Sequence, residues 1–129
     1  FDVFGDENAE KAIITYGRTF SACAFAYEKL VNSGESVKLI KLNRIIPVCE
    51  GAVEAAKDCR DVYFFEEGIR RGGAGEGFLF DLSKAGFSGK YHLRAIENGF
   101  VKQASVESLL HKYGFDEEGV LSFVTSAED

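Results

Sequence analysis

Asp61-Val-Tyr-Phe-Phe-Glu-Glu-Gly-Ile-Arg-Arg-Gly-Gly-Ala-Gly-Glu-Gly77 is the stretch that decides the architecture of this chain. Its first five residues, Asp61 to Phe65, form a run too apolar to leave one face in water. Such a run reads as a strand buried on both sides, the mark of a parallel sheet. It ends on two adjacent acids, Glu66 and Glu67, and a glycine cluster follows within a few residues. A ligand or subunit contact at the carboxyl edge of an open parallel sheet has this form. So does a plain strand-loop-helix joint in a domain whose chemistry lies elsewhere.

Moving outward, Ala12-Ile-Ile-Thr-Tyr16 repeats the doubly buried pattern and closes on Gly17. The spacing of Ala22, Phe25, Ala26 and Leu30 predicts a helix from about Thr19 to Val31, stopped by Asn32-Ser33-Gly34. Val37 to Leu42 is the next strand, and Pro47 biases Ile46 away from helix. A short helix is expected over Val48 to Lys57, with Val53 and Ala56 inward. A further helix runs from about Gly75 to Lys84 on Phe78, Leu79 and Leu82. Gly86 and Gly89 bracket a turn. Tyr91 to Ile96 alternates as an edge strand does. Ser105 opens a helix to Lys112, and Asp116 caps a last one to about Thr125. Phe1 to Phe4 fits a short edge strand. Strands separated by helices require crossover connections, so the sheet is mostly parallel and the chain is one domain, residues 1–129.

Composition narrows the function. A chain of 129 residues buries enough surface to fold without metal or disulfide. Its 21 acids against 15 bases argue against nucleic-acid binding, which rests on clustered Lys and Arg. Cys23, Cys49 and Cys59 have no CxxC spacing, which suits buried structural thiols in a reducing, cytoplasmic setting. No apolar run is long enough to cross a bilayer, so no membrane partner is expected. The chain holds no Met, even at position 1, as expected for a piece of a larger polypeptide or a processed product.

The candidate site residues cluster near the quoted stretch. Gly72, Gly73, Gly75 and Gly77 permit close backbone approach at a helix start. No Gly-Lys-Ser/Thr follows, and the spacing is not that of a dinucleotide fingerprint. Arg70 and Arg71 suit bidentate contact with a carboxylate or phosphate, or simply face water. Glu66 and Glu67 point to opposite faces if the strand continues, so they are poorly placed to share a proton. One of them is expected to be buried against backbone N–H groups or an arginine. Arg18, after Tyr16-Gly17, would present its charge at the same edge. His92 and His111 lack a ligand partner at metal spacing. No Ser-His-Asp arrangement is visible, so no catalytic, cofactor or metal residue is assigned to the chain.

In this order the pieces resemble the C-terminal domain of the transketolase-like thiamine diphosphate enzymes, most like the 1-deoxy-D-xylulose-5-phosphate synthase branch. The resemblance rests on Ile13-Ile-Thr-Tyr-Gly17, Ser33-Gly34-Glu35-Ser36-Val37, Leu42 through Ile46-Pro47, Phe65-Glu66-Glu67-Gly68, Gly72-Gly73-Ala74-Gly75-Glu76, and Ser108-Leu-Leu-His-Lys-Tyr-Gly-Phe-Asp-Glu-Glu-Gly-Val120. It covers about Lys11 to Val124. One departure is Phe100-Val-Lys-Gln103-Ala104-Ser105, where the synthase branch commonly carries a His-Gly pair. Transketolase proper and a divergent paralogue therefore stay open.

The resemblance implies a three-layer α/β/α domain with a mixed five-stranded sheet, one short strand antiparallel, which Phe1 to Phe4 would supply. It implies a parent transferase of two-carbon units in isoprenoid biosynthesis, joining pyruvate to glyceraldehyde 3-phosphate. Thiamine diphosphate and Mg would be bound by the other domains, upstream in the same chain or in a companion chain. This domain would support packing and the homodimer of the parent. Arg18, Glu66, Glu67, Gly68, Arg70, Arg71, Gly72, Gly73 and Gly75 would serve as domain or subunit contacts. A split-transketolase subunit and a stand-alone small-anion-binding domain are the alternatives.

Overall fold

The computed structural model describes residues 1–43, 50–66, 74–95 and 117–126. The strands are β1 (Asp2–Gly5), β2 (Lys11–Thr15), β3 (Val37–Lys41), β4 (Asp61–Glu66) and β5 (Lys90–Ala95). The helices are α1 (Phe20–Asn32), preceded by a 3-10 turn at Gly17–Thr19, α2 (Glu50–Ala56), α3 (Ala74–Lys84) and α4 (Glu117–Ser126). The five strands lie in the order β1-β3-β2-β4-β5. Strand β1 is antiparallel to β3, and every other pairing is parallel. The expected three-layer α/β/α domain with its mixed five-stranded sheet and one short antiparallel strand is what forms.

Side-chain alternation builds the two outer layers. Ile13, Leu39, Tyr63 and Phe65 point to one face, where Ala22, Cys23, Ala26 and Leu30 of α1 and Val120 and Val124 of α4 cover them. Ala12, Ile14, Ile40, Val62 and Phe64 point to the other, against Ala52, Val53 and Ala56 of α2 and Phe78 and Leu82 of α3. Strands β2 and β4 are buried at every position, as their apolar runs require. Each large side chain buried in this way contributes roughly 1.5–3 kcal/mol. The Cys23 thiol lies in this core, and burial pushes its pKa up to about 12 against a small opposing effect of a Thr15 hydrogen bond.

Two positions differ from the expected helix faces. The helical spacing sets Phe25 and Leu79 among the core-facing positions, yet both are exposed. In α1 the sheet contact is completed by the small Ala22, Cys23 and Ala26, which leaves Phe25 outside, under the Lys29 ammonium 5.0 Å from its ring centroid. In α3, Phe78 and Leu82 fill the contact with Phe64, and Leu79 is turned away. The first parallel strand also begins one residue earlier than expected. Lys11 is buried within it because its ammonium pairs with Glu35 at 2.8 Å. The hydrogen bond from Lys11, and then its charge, lowers the Glu35 pKa. Strand β5 is at the sheet edge as its alternation indicated. The expected helix from Ser105 to Lys112, Cys49, His111 and the cap Asp116 lie outside the described residues.

The amino-terminal edge is tied by side chains that reach backbone. Lys38 is almost completely buried, and its ammonium donates to the carbonyls of Glu7 and Ala55, each at 2.7 Å. One cation thereby joins the β1–β2 loop to the end of α2. Asp61 accepts from Arg60 Nε at 2.7 Å, and its other oxygen meets His92 Nε2 at 3.1 Å. Burial works against Asp61 ionising, but the hydrogen bonds and charges of Arg60 and His92 prevail and its pKa is lowered.

Gly89 lets β5 start here. A Cβ on it would lie 2.4 Å from the Arg60 carbonyl oxygen and 2.7 Å from that of Cys59. Gly77, on the outer side of α3, has no atom within 4 Å of such a Cβ. Gly89→Ala is therefore expected to destabilise the fold by about 1–3 kcal/mol, and Gly77→Ala to stabilise it by roughly 0.5–1 kcal/mol. Urea unfolding of the two variants beside the parent chain reads both signs. Equal effects at the two positions would contradict this assignment.

Candidate functional site

The carboxyl ends of β2 and β4 and the first turn of α3 meet at one place. Val62, Phe64 and Glu66 occupy alternate positions of β4, so the Glu66 carboxylate continues an otherwise apolar row that faces α2 and α3. It has no exposure to water. One oxygen, Oε1, accepts from the Gly75 backbone N–H at 3.1 Å. The other, Oε2, accepts from the Tyr16 hydroxyl at 3.2 Å. The backbone of Ala74 adds a further hydrogen bond. Glu66 thus receives the N–H groups that a helix start leaves without intrahelical partners.

Burial dominates the electrostatics of this carboxyl. It raises the Glu66 pKa despite the hydrogen bonds from Gly75, Tyr16 and Ala74, and the charge of Glu76 adds to the rise. Tyr91, on β5, donates its hydroxyl to the Gly75 carbonyl at 2.6 Å. Burial, and then the negative charge of Glu66, pushes the Tyr91 phenol pKa well above its usual range. Gly75 is therefore held on both sides, its N–H by Glu66 and its C=O by Tyr91.

Steric fit explains why residue 75 is glycine. A Cβ there would lie 2.4 Å from Leu93 Cδ1 and 2.8 Å from Glu66 Oε1. The close approach serves the contact between helix and sheet. On the β2 side, Tyr16 has extended backbone and Gly17 turns the chain at φ 67°. Thr19 donates its hydroxyl to the Tyr16 carbonyl at 3.0 Å, and Thr15 and Thr19 bond to each other through their hydroxyls. The Thr15 hydroxyl, whose one proton is shared between Thr19 and the Phe65 carbonyl 3.3 Å away, links the ends of the two central strands.

Of the residues singled out in the sequence, Glu66 and Gly75 are brought into direct contact. The backbone of Arg18 lies in the 3-10 turn, next to Tyr16. Glu67, Gly68, Arg70, Arg71, Gly72 and Gly73 lie outside the described residues. Sequence reasoning passed over Tyr16 and Tyr91 as members of the site. The signal for Tyr16 was available, since it ends a doubly buried strand just before a glycine. Tyr91 gave none, because its partner is a main-chain carbonyl. Among the described residues, no group of three or more His, Cys, Asp or Glu side chains is placed to hold a metal ion. None of the described helices is long and apolar enough to cross a membrane.

Residues 5–120 match the family described as transketolase, C-terminal domain. The chain belongs to that family. This transketolase C-terminal domain is 30% identical over 116 residues to the 1-deoxy-D-xylulose-5-phosphate synthase of Bacteroides fragilis, covering 88% of the chain and 18% of that enzyme. It is 26% identical over 121 residues to the same enzyme of Shouchella clausii, covering 93% of the chain and 19% of the relative. It therefore spans about a fifth of the length of these relatives. Among solved structures, a split gene transketolase described as an inactive beta4 tetramer superposes with a TM-score of 0.79 at 21% identity. That match covers 98% of this chain and 42% of the other, and it is a likeness of fold.

The raised pKa of Glu66 fixes the sign of a pH effect in this transketolase C-terminal domain. A carboxyl whose folded value lies above its unfolded one binds more protons when folded. Its contribution favours the folded state at low pH and is lost as pH rises from the ordinary carboxylate range through the raised folded value. Glu66→Gln keeps an acceptor for Gly75 and carries no charge. Relative to the parent chain it is expected to gain stability in urea unfolding as pH rises above the ordinary carboxylate range. A difference that does not change with pH would refute the assignment. Gly75→Ala is expected to cost about 1–3 kcal/mol at any pH by the same measurement.

Proposed function

We propose that this chain is the C-terminal domain of a thiamine diphosphate-dependent transferase of two-carbon units, most like 1-deoxy-D-xylulose-5-phosphate synthase. The observation that carries the reading is the family match over residues 5–120, joined to curated relatives that are synthases and about five times longer. In this reading the parent joins pyruvate to glyceraldehyde 3-phosphate. Thiamine diphosphate and Mg are held by its other domains, upstream in the same chain or in a companion chain, in the cytoplasm. This domain packs against them, supports the homodimer, and does not catalyse alone.

The residues fit that division of labour. Glu66 is buried and turned inward onto a helix start. The described part of the edge thus works as a structural joint, and the contact with a neighbouring domain is assigned to Arg18 and to the segment from Glu67 to Gly73 by the family reading alone. A stand-alone anion-binding domain fits less well. The Gly75 N–H at the start of α3 is already taken by a carboxyl of the protein itself. A split-transketolase subunit is the second reading, favoured by the fold likeness to a split gene transketolase.

The test is an assay with pyruvate, glyceraldehyde 3-phosphate, thiamine diphosphate and Mg. The 129-residue chain alone is expected to give no product, and the native parent protein to give 1-deoxy-D-xylulose 5-phosphate. Turnover by the chain alone sinks the domain reading. Activity that returns only when a separately encoded thiamine-binding chain is added selects the split subunit.

A further inference from the structure

Two lysines are buried equally deeply in neighbouring strands, and one of them lacks a counter-charge. Lys11 and Lys38 are each 3% exposed. Lys11 pairs with the Glu35 carboxylate at 2.8 Å. Lys38 has two neutral partners, the carbonyls of Glu7 and Ala55, each at 2.7 Å. An ammonium has three protons to donate. Among the described residues one donor and a whole positive charge are therefore left over. Burial of a cation without a carboxylate is costly. A neutral amide, with two donors, could hold two carbonyls without that cost.

The ammonium stands at the wall of an open cavity of about 600 Å³. Glu7 and Ala55, whose carbonyls it holds, both line this cavity. Lys38 and Cys59 are its buried residues, Val3 and Ala55 supply apolar surface, and the exposed Glu7 and Asp58 stand at its mouth. Neither of those two carboxylates makes an ion pair with a described residue. Burial raises the Cys59 thiol pKa, while the Lys38 charge opposes that rise and the Asp58 charge adds to it. Charges of both signs thus act at one point of the cavity.

We propose that this cavity binds a small zwitterion of the free amino-acid class, its carboxylate on the Lys38 ammonium and its own ammonium toward Glu7 and Asp58. A plain anion meets Lys38 but is repelled at the mouth. A plain amine suits the mouth but is repelled by Lys38. A molecule with both charges answers both groups, and the discrimination comes from repulsion as much as from attraction. Val3 and Ala55 suit an aliphatic body. The site lies at the amino edge of the parallel strands, away from Glu66 at their carboxyl edge, and does not depend on the domain-contact reading.

The experiment is an NMR titration of the 129-residue chain at neutral pH with L-valine, isovalerate and isobutylamine. These share one aliphatic body and carry both charges, the anionic one alone and the cationic one alone. L-Valine is expected to bind in the millimolar range, about tenfold or more tighter than either of the others. It should move the amides of Glu7, Ala9, Lys38, Ala55 and Cys59 together, all of which line the cavity. No saturable shift with L-valine, or shifts elsewhere in the domain, overturns the proposal. So does isovalerate binding as tightly as L-valine. Lys38→Met is expected to abolish L-valine binding, and a folded variant that still binds it refutes the site. If Lys38→Met does not fold, the mouth decides. Glu7→Gln combined with Asp58→Asn changes two exposed positions. It is expected to weaken L-valine by about threefold to tenfold and to strengthen isovalerate. An unchanged preference for L-valine over isovalerate in that variant overturns the proposal.

Discussion

Two strands with no polar face set the terms for this fold. Strands β2 and β4 carry apolar side chains on both sides, and a strand of that kind is stable only when both sides are covered. Helices must therefore lie above and below the sheet, and the chain must cross over between successive parallel strands. In the order β1-β3-β2-β4-β5 the doubly buried pair lies inside with β3, buried from Val37 to Ile40, beside it, and β1 and β5 form the edges. Strand β1, short and exposed, closes one edge in the antiparallel sense. Strand β5, whose Tyr91 to Arg94 segment is only partly buried, closes the other.

The acids that bracket β4 show how position decides the behaviour of one kind of group. Asp61 begins the strand and Glu66 ends it. Both carboxyls are nearly or wholly excluded from water, which disfavours ionisation in each. Asp61 has Arg60 and His92 beside it, and their positive partnership prevails. Glu66 has neutral donors, Tyr16 and backbone N–H groups, with Glu76 nearby, and burial prevails. The two ends of a single strand thus respond to acid in opposite directions: one interaction weakens where the other is relieved.

Much of this was legible in the chain itself. Runs such as Ala12 to Tyr16 and Asp61 to Phe65 announced the central strands, because double burial leaves no polar alternation to confuse with anything else. The ordered set of short motifs pointed to the right family. Helix faces were harder. Phe25 and Leu79 sit at spacings compatible with the core, and only the crowding by Phe78, Leu82 and the small residues of α1 shows that they are not needed there. Of the site, the placement of one acid against backbone N–H groups could be foreseen from the strand-end position. Its link to Tyr16 could not, since it joins residues 50 positions apart through a single side-chain bond. Nor could the reason for Gly75, which depends on where Leu93 and Glu66 come to lie.

The core thiol of Cys23 has a practical consequence. Alkylation requires the thiolate to attack the reagent, and this group keeps its proton and is sealed between α1 and the sheet while the domain is folded. Alkylation at Cys23 must wait for the helix to lift from the sheet. Modification of that one position, followed by peptide mass, therefore acts as a clock on the opening of the α1 layer. It would time that event in a chain that contains no tryptophan to report it by fluorescence.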